Sequence, residues 1–420
     1  VVTRRYAWLV AIVATLTMTV SYIDRNTLAV LAPTVTKALG ISNEAYGWIG
    51  SAFSMAYLIG TPLAGWWIDR AGARRGLVVS VLVWSVVAAL HALVPGFTTL
   101  FVLRFALGLA EAPSFPGASQ TVQRILPPRD RERGFGVLFT GSSIGSTVVP
   151  ILAVFLFTQA TPRFGADAWR IAMLGTTAAG LIWIPAWLAV TRSPAVRAQL
   201  AALPVDPSVP RIPFGRLVRS RVMLRALAGV VASAPVFNFP TVWGAKYLTA
   251  TYGLKQEQLG HYLWLPALLF DVGAILFGDL ASRQRRPEGV PPRSLYAVGV
   301  ALAAALAFLP LAGGPWDGIL ILGAASIGAG AMYALTTSDL LARVPVGSVS
   351  LASGTVAGAQ SLALIICNPL IGRAVDHLHS YDAVALGLGL WVLPGGLFWL
   401  LCKPPYPPPI EVPTARARRA

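Results

Sequence analysis

Two short runs carry ionisable side chains where nearly every neighbour is apolar. The first, SYIDRN, sets Tyr22, Asp24, Arg25 and Asn26 inside LVAIVATLTMTVSYIDRNTLAVLAPTV; the second, LRFALGLAEAPSFPG, carries Arg104 and Glu111. An ionised side chain at a bilayer centre costs about 2.5–3.5 kcal/mol on insertion scales, so such groups point to work rather than ornament. Asp24 and Arg25 are sequence neighbours and project about 100° apart on a helix, so they cannot neutralise each other face to face. Each needs its own partner or a wet cavity. Arg104 and Glu111 lie about two turns apart on one helix face, roughly 10 Å along the axis. That spacing puts Arg104 in position to pair with a carboxylate such as Asp24 or Glu111. Desolvation keeps a buried carboxyl neutral and a nearby cation ionises it, so a change in arginine distance switches its affinity for a proton. The chemistry on offer is proton uptake by carboxylates and capture of an anion by arginine.

The elements that must hold these groups are membrane helices. Of the 420 residues, 55% are hydrophobic and 12% charged, against about 25% charged in an average soluble domain. Apolar segments recur along the whole chain and approach or exceed the roughly 20 residues that a spanning helix needs. Their pattern predicts twelve spans, at 6–37, 45–68, 76–94, 98–125, 132–160, 169–190, 220–250, 256–281, 293–312, 316–342, 348–376 and 381–402. The formal charge of +16 would suggest nucleic acid in a soluble protein, but its placement speaks for topology. With the N-terminus inside, cytoplasmic ends and loops hold about 25 of the 33 basic residues and the outer side about six, which predicts cytoplasmic N- and C-termini. The start, VVTRRYAWLVAIV, reads as a first span: its apolar stretch is too long for a signal peptide and no A-x-A-like site follows. Cys367 and Cys402 imply neither a disulfide framework nor a zinc site. His91, His261, His377 and His379 fall near helix ends without metal spacing. No Walker motif is present, and the GAG at 328–330 follows no strand, which argues against ATP-driven transport. Neither a metal nor a cofactor beyond a coupling proton is expected. No nucleophile–base pair suggests an enzyme.

The chain also repeats itself. At an offset of 213, Gly40 falls on Gly253, Gly47 on Gly260, Gly65 on Gly278, Arg70 on Arg283, and Gly141 and Gly145 on Gly354 and Gly358. This predicts six-helix bundles at 1–190 and 220–403, a polar Pro- and Arg-rich cytoplasmic linker at 191–219, and a cytoplasmic tail at 404–420. Parallel repeats of this kind characterise a large class of secondary transporters with a mid-membrane site between the halves. The glycine pairs are small-xxx-small motifs that let helices approach closely, and packing between halves is expected of them.

After the second predicted span, GWWIDRAGARR supplies Gly65, Asp69, Arg70, Gly72, Arg74 and Arg75. Gly65 and Asp69 are one helical turn apart, and a tight glycine turn and a basic cluster follow. This run resembles the G-x3-D-R-x-G-x-[RK] signature of the major facilitator superfamily, and the second half echoes it with Ser282 in place of Asp69. The resemblance implies the all-α fold of twelve transmembrane helices in two pseudo-symmetric six-helix bundles, and gives the motif a gating role. Tyr22, Asp24, Arg25, Tyr57, Arg104 and Glu111 together resemble the anion:cation symporter family. That likeness implies that Arg25 meets a substrate carboxylate, Tyr22 and Tyr57 line the pocket, Asp24 and Glu111 take up protons, and Arg104 organises the network.

The stretch YGLKQEQLGHYLWLPALLFDVGAILFG resembles the hexuronate branch, where Asp271 would accept hydrogen bonds from sugar hydroxyls. Asn26 and Ser142 complete the substrate-binding set with Asn368, which is either a pocket hydrogen-bonder or the cap of a Pro-broken helix. Ser142 stands where sugar-acid relatives often carry Gln, and Thr337 and Ala357 where they carry larger groups, which leaves a smaller or less polar pocket. Lys246 reads as a snorkelling lysine near the outer end of its span. The expected function is proton-coupled import of an organic carboxylate, a hexuronate or other sugar acid, by alternating access. The alternatives are an organic anion exchanger without proton coupling and a carrier of aromatic or short-chain carboxylates. The expected partners are a small organic anion and membrane lipid, with no nucleic acid. The expected form is a functional monomer in a bacterial inner membrane.

Overall fold

A computed structural model describes residues 2–201, 212–284, 290–345 and 348–403; most of the central linker and the tail from 404 onward, both expected to be cytoplasmic, lie outside them. The N-terminal part comprises α1 (Arg4–Val30), α2 (Ala32–Ala38), α3 (Asn43–Leu90), α4 (Phe97–Glu111), α5 (Ser114–Ile125), α6 (Pro128–Phe164), α7 (Ala168–Val190) and α8 (Pro194–Gln199). The C-terminal part comprises α9 (Phe214–Val218), α10 (Arg221–Asn238), α11 (Gly244–Tyr252), α12 (Trp264–Arg283), α13 (Arg293–Ala304), α14 (Pro315–Leu341), α15 (Val349–Leu378) and α16 (Asp382–Leu401). Among the described residues nine helical stretches are long and apolar enough to cross a membrane. Two of them fold back on themselves. Within α3, Gly72 takes φ 73° and ψ 150°, a left-handed backbone that glycine adopts without strain, and Gly76 comes back against Ile68. Between α6 and α7 the chain reverses at 165–167, so that Gly175 packs on Leu156. The pair α4–α5, broken at Ala112–Pro113, adds a further crossing. The twelve expected spans are thereby accounted for.

Leu311, Leu93 and Ile182 are 78%, 72% and 71% exposed. Large apolar side chains this exposed, on helices long and apolar enough to span a bilayer, suit hydrocarbon rather than water. Serines cap helices at both ends of the molecule: Ser42 accepts from the Ala45 amide at 3.1 Å and Ser220 from the Met223 amide at 3.1 Å. At the Arg-rich end, Arg4 clasps Asp130 with two 2.7 Å bonds. The hydrogen bonding from Arg4 holds that carboxyl below its usual range, where it favours the first turn of α6.

The two halves meet at the end opposite the Arg-rich loops. There Thr34 donates to Gln256 Oε1 (2.9 Å), and Gln256 donates to the Val30 carbonyl (2.8 Å). Tyr46 donates to the Val242 carbonyl and Ser51 to that of Ile365, both at 2.9 Å. Asp376 of α15 accepts from the Asn43 amide (3.1 Å), Asn43 Nδ2 (2.7 Å) and the Glu44 amide (2.8 Å), and so caps α3 from across the seam. Lys246 reaches Thr36 at 2.9 Å over the Tyr46 ring. It therefore joins the seam instead of snorkelling into lipid, because its stem is enclosed by the opposing half. At the Arg-rich end the ion pairs Arg4–Asp130, Arg225–Asp339 and Arg343–Asp339 and the hydrogen bonds of Arg74 and Asp69 each stay within one half.

The glycine pairs differ from expectation. Gly141 and Gly145 of α6 would place a Cβ 2.6 Å from the carbonyl oxygens of Thr15 and Thr19, so they weld α6 to α1 inside one half. Their counterparts are loose: Gly354 has open space and Gly358 only touches Leu58 across the seam. The repeat preserves position but not packing.

Candidate functional site

Each site residue owes its place to a local choice in the sequence. Pro113 lacks an amide hydrogen and ends α4, so Glu111 closes that helix beside α1, fully buried. The two charged neighbours on α1 part as helix geometry requires. Arg25 turns to the central space and Asp24 turns into the N-terminal bundle.

Arg25 donates to Glu111 Oε2 from Nε (3.2 Å) and Nη2 (3.1 Å), and Ser21 donates to the same oxygen at 2.7 Å. Glu111 Oε1 has no partner among the described residues. Three rings surround the guanidinium: its carbon lies 4.6 Å from the Tyr22 centroid, 4.4 Å from Phe53 and 5.1 Å from Tyr57. Phe53 and Tyr57 are themselves stacked. Aromatic faces stabilise a cation by about 0.5–2 kcal/mol without supplying a counter-charge. The Arg25 side chain keeps 19% exposure, so the cage has an open side. Tyr333 of α14 comes into electrostatic range of Tyr22 and Tyr57 from the opposite half, and packs on Phe270.

Arg104 behaves differently from expectation. It makes no ion pair among the described residues; Nη2 donates to the Arg25 carbonyl at 2.9 Å. It thus fixes the backbone of Arg25; it shares a cavity wall with Asp24 and also lies 5.9 Å from the Phe53 ring centroid, within electrostatic range of Glu111. Asp24 is 5% exposed, with the Trp84 indole as its hydrogen-bonding neighbour.

The remaining candidates disperse. Asn26 donates to Ser146 Oγ at 3.3 Å and lines a small cavity at the seam with Pro150, Pro240, Thr241 and Pro266. Asp271 hydrogen-bonds Ser143 across the seam, and Ser142 is half-buried next to that serine. Asn368 is buried within an unbroken α15, so it does not cap a Pro-broken helix. Its Oδ1 accepts from Asn238 (2.6 Å) and Trp243 (3.2 Å) within the C-terminal half, while Gly47 and Gly50 of α3 lie against it from the other half. The motif residues brace one half: Asp69 accepts from Gln120 at 3.0 Å, Arg70 covers Trp66, and Arg74 donates to Thr191 at 3.1 Å. Gly65 opens on free space, and Gly72 makes the turn.

Sequence reasoning passed over Ser21, Phe53, Tyr333 and His91. Serine and aromatics are ordinary in apolar spans, and His91 stood at a helix end with no partner in sequence. Chemically, the cage can exchange ligands: an incoming carboxylate competes with Glu111 for Arg25, and protonating Glu111 removes the charge that holds it.

The model of the Major Facilitator Superfamily matches residues 14–366. The chain is 26% identical to the hexuronate transporter of Escherichia coli (strain K12), over 96% of this chain and 95% of that one. It is 26% identical to the probable galactarate/D-glucarate transporter of the same strain, over 94% and 92%. Among solved structures, a bacterial homologue of the human lysosomal transporter Spinster, inward-facing and occupied, superposes with a TM-score of 0.78 at 16% identity, over 95% of this chain and 97% of that one.

Proposed function

The chain belongs to the Major Facilitator Superfamily, whose members are membrane transporters rather than enzymes, and from that premise we propose that it imports an organic carboxylate together with protons. The cargo class is a hexuronate or related sugar acid, as the names of its relatives suggest. The observation that carries this reading is Arg25, a caged cation at mid-depth with one open side, held by a carboxylate that a proton can neutralise. Asn26 with Ser146, and Asp271 with Ser143, stand at the seam as candidates for the hydroxyl-bearing end of such a cargo.

In this cycle, protonated Glu111 gives up Arg25, and the cargo carboxylate takes its place. The halves then rock about the loaded site. The Arg-rich end is taken as cytoplasmic on the positive-inside rule, so the seam that is closed here faces outward and the site drains inward. The carrier acts as a monomer in a bacterial inner membrane. A monoanion moved with one proton carries no net charge. A second proton, on Asp24, would add one charge, worth about 2.3 kcal/mol per 100 mV.

The test is uptake of radiolabelled glucuronate or galacturonate into proteoliposomes. An outside-acid pH gradient is expected to drive accumulation, and Arg25→Ala to abolish it. Exchange that ignores the gradient would instead establish the anion exchanger. Transport of no acid would overturn the reading altogether.

A further inference from the structure

On the side of α1 turned away from Arg25, a second polar cavity lies wholly inside the N-terminal half. Asp24, Thr27, His91, Arg104, Thr176 and Thr177 line it. Its free space suits about one water at a time. The groups around it are incompletely matched. Nε2 of His91 and Nε of Arg104 are buried without partners among the described residues, and Asp24, beside the Trp84 indole, keeps lone pairs to spare because a carboxylate has about four acceptor sites. Buried polar groups are nearly always satisfied, so unmet hydrogen-bonding capacity around one space marks a place that takes up water.

His91 has a defined protonation pattern there. Its Nδ1 lies 2.8 Å from the Val87 carbonyl oxygen. A carbonyl only accepts, so Nδ1 carries the hydrogen, and Nε2 of the neutral ring holds a lone pair. Leu93, at the rim of the closed end, lies just beyond it. The charged groups facing His91 and Asp24 come from α1 (Asp24) and α4 (Arg104), while α7 presents only Thr176 and Thr177. Glu111 acts on Asp24 from the far side of α1. The nearby Arg170 guanidinium is occupied by the Ala92 and Val94 carbonyls (2.7 and 3.1 Å) and by Asp167 (2.9 Å).

We propose that His91 passes protons from the water at the closed end to Asp24 through this cavity, so that the coupling proton and the carboxylate cargo enter by separate routes. The inference rests on the proton-coupled reading above. In the step, an O–H bond of a hydronium ion breaks as its proton forms an N–H bond at Nε2, leaving neutral water. The N–H bond then breaks as the proton moves, through a bridging water, to a carboxylate oxygen of Asp24. The ring returns to its Nδ1–H form, and nothing is oxidised or reduced.

His91→Asn keeps an N–H directed at Val87 and deletes Nε2. In proteoliposomes, uptake driven by a pH gradient is expected to fall on the order of a hundredfold, the low end for loss of a positioned proton-transfer group. Counterflow of labelled against unlabelled acid, in which no proton need leave the carrier, is expected to continue at the wild-type rate. Thr177→Val, which makes the cavity less polar without altering a titrating group, is expected to slow the first process and spare the second. Equal loss of both processes in the two variants, or loss of neither, overturns the relay while leaving proton coupling intact. Wild-type uptake that ignores the pH gradient overturns both.

Discussion

Glu111→Gln isolates the competition at the heart of the site. In the structure Glu111 Oε2 accepts three hydrogen bonds, two of them from Arg25 at 3.2 and 3.1 Å. Hydrogen bonds to charged groups contribute about 1.5–3 kcal/mol each, and two that share one acceptor at these lengths belong at the low end, or about 3 kcal/mol together. A cargo carboxylate must displace that, which corresponds to on the order of a hundredfold in affinity. Glutamine keeps the volume and an acceptor for Ser21 but withdraws the charge, so it imitates protonated Glu111 at every pH. For wild type the proposed cycle fixes the sign by linkage: if binding needs a proton on Glu111, affinity is full at low pH and declines by up to about tenfold per unit as pH rises through the titration. The variant is expected to bind with one affinity across that range, matching wild type at low pH and exceeding it by up to about a hundredfold at high pH. Isothermal titration of purified protein with glucuronate at several pH values measures this directly. A variant as pH-dependent as wild type would place the relevant proton elsewhere. One that binds worse at every pH would make Glu111 a structural prop, and either result refutes the competition argument.

Further perturbations test the surroundings. Arg25→Lys keeps the charge but loses the planar group that fits the cage of Tyr22, Phe53 and Tyr57; affinity for the acid is expected to drop by about 1–2 kcal/mol in the same titration. Gly145→Ala sets a Cβ 2.6 Å from the Thr19 carbonyl oxygen and is expected to cost about 1–3 kcal/mol of stability, whereas Gly354→Ala meets nothing and should be neutral or stabilising by up to about 1 kcal/mol. Thermal unfolding in detergent ranks the two, and equal melting points would contradict the packing described. Asp376→Ala removes the cap on α3 and about 0.5–2 kcal/mol with it, so spin labels at Leu93 and Leu311 should report a larger population of wide separations. An unchanged distance distribution would show that the cap does not help to close the seam.

The sequence made the helices legible because hydrocarbon tolerates so few alternatives. Twelve apolar runs, interrupted at Gly72 and Pro113, map onto the crossings found. The divergence of Asp24 and Arg25 also followed from the helical repeat alone. What the chain did not disclose was rotation between helices. Spacing put Arg104 and Glu111 on one face of the fourth span, but which of them would meet Arg25 depended on how that helix is seated against α1. The break after Glu111 turned the carboxylate, not Arg104, toward the guanidinium. Arg104 took a backbone carbonyl, a partner no side-chain pattern announces. Phe53 and Tyr333 were hidden for the opposite reason: aromatics are so frequent in such spans that only their convergence on a cation distinguishes them. The sequence leaves Asn368 open between a pocket residue and a helix cap; a buried amide must find partners, and its oxygen finds them in Asn238 and Trp243.

The seam at the closed end has an unusual electrical character. Among the described residues, the hydrogen bonds found across it join at most one charged group to a neutral one: Asp376 to amides, Lys246 to a hydroxyl, the others neutral on both sides. Dissolved ions screen attraction between opposite charges far more than they weaken contacts of this sort. Brine and dilute medium should therefore leave the resting posture of the carrier nearly alike, and its response to salinity should come through cargo capture rather than through the latch.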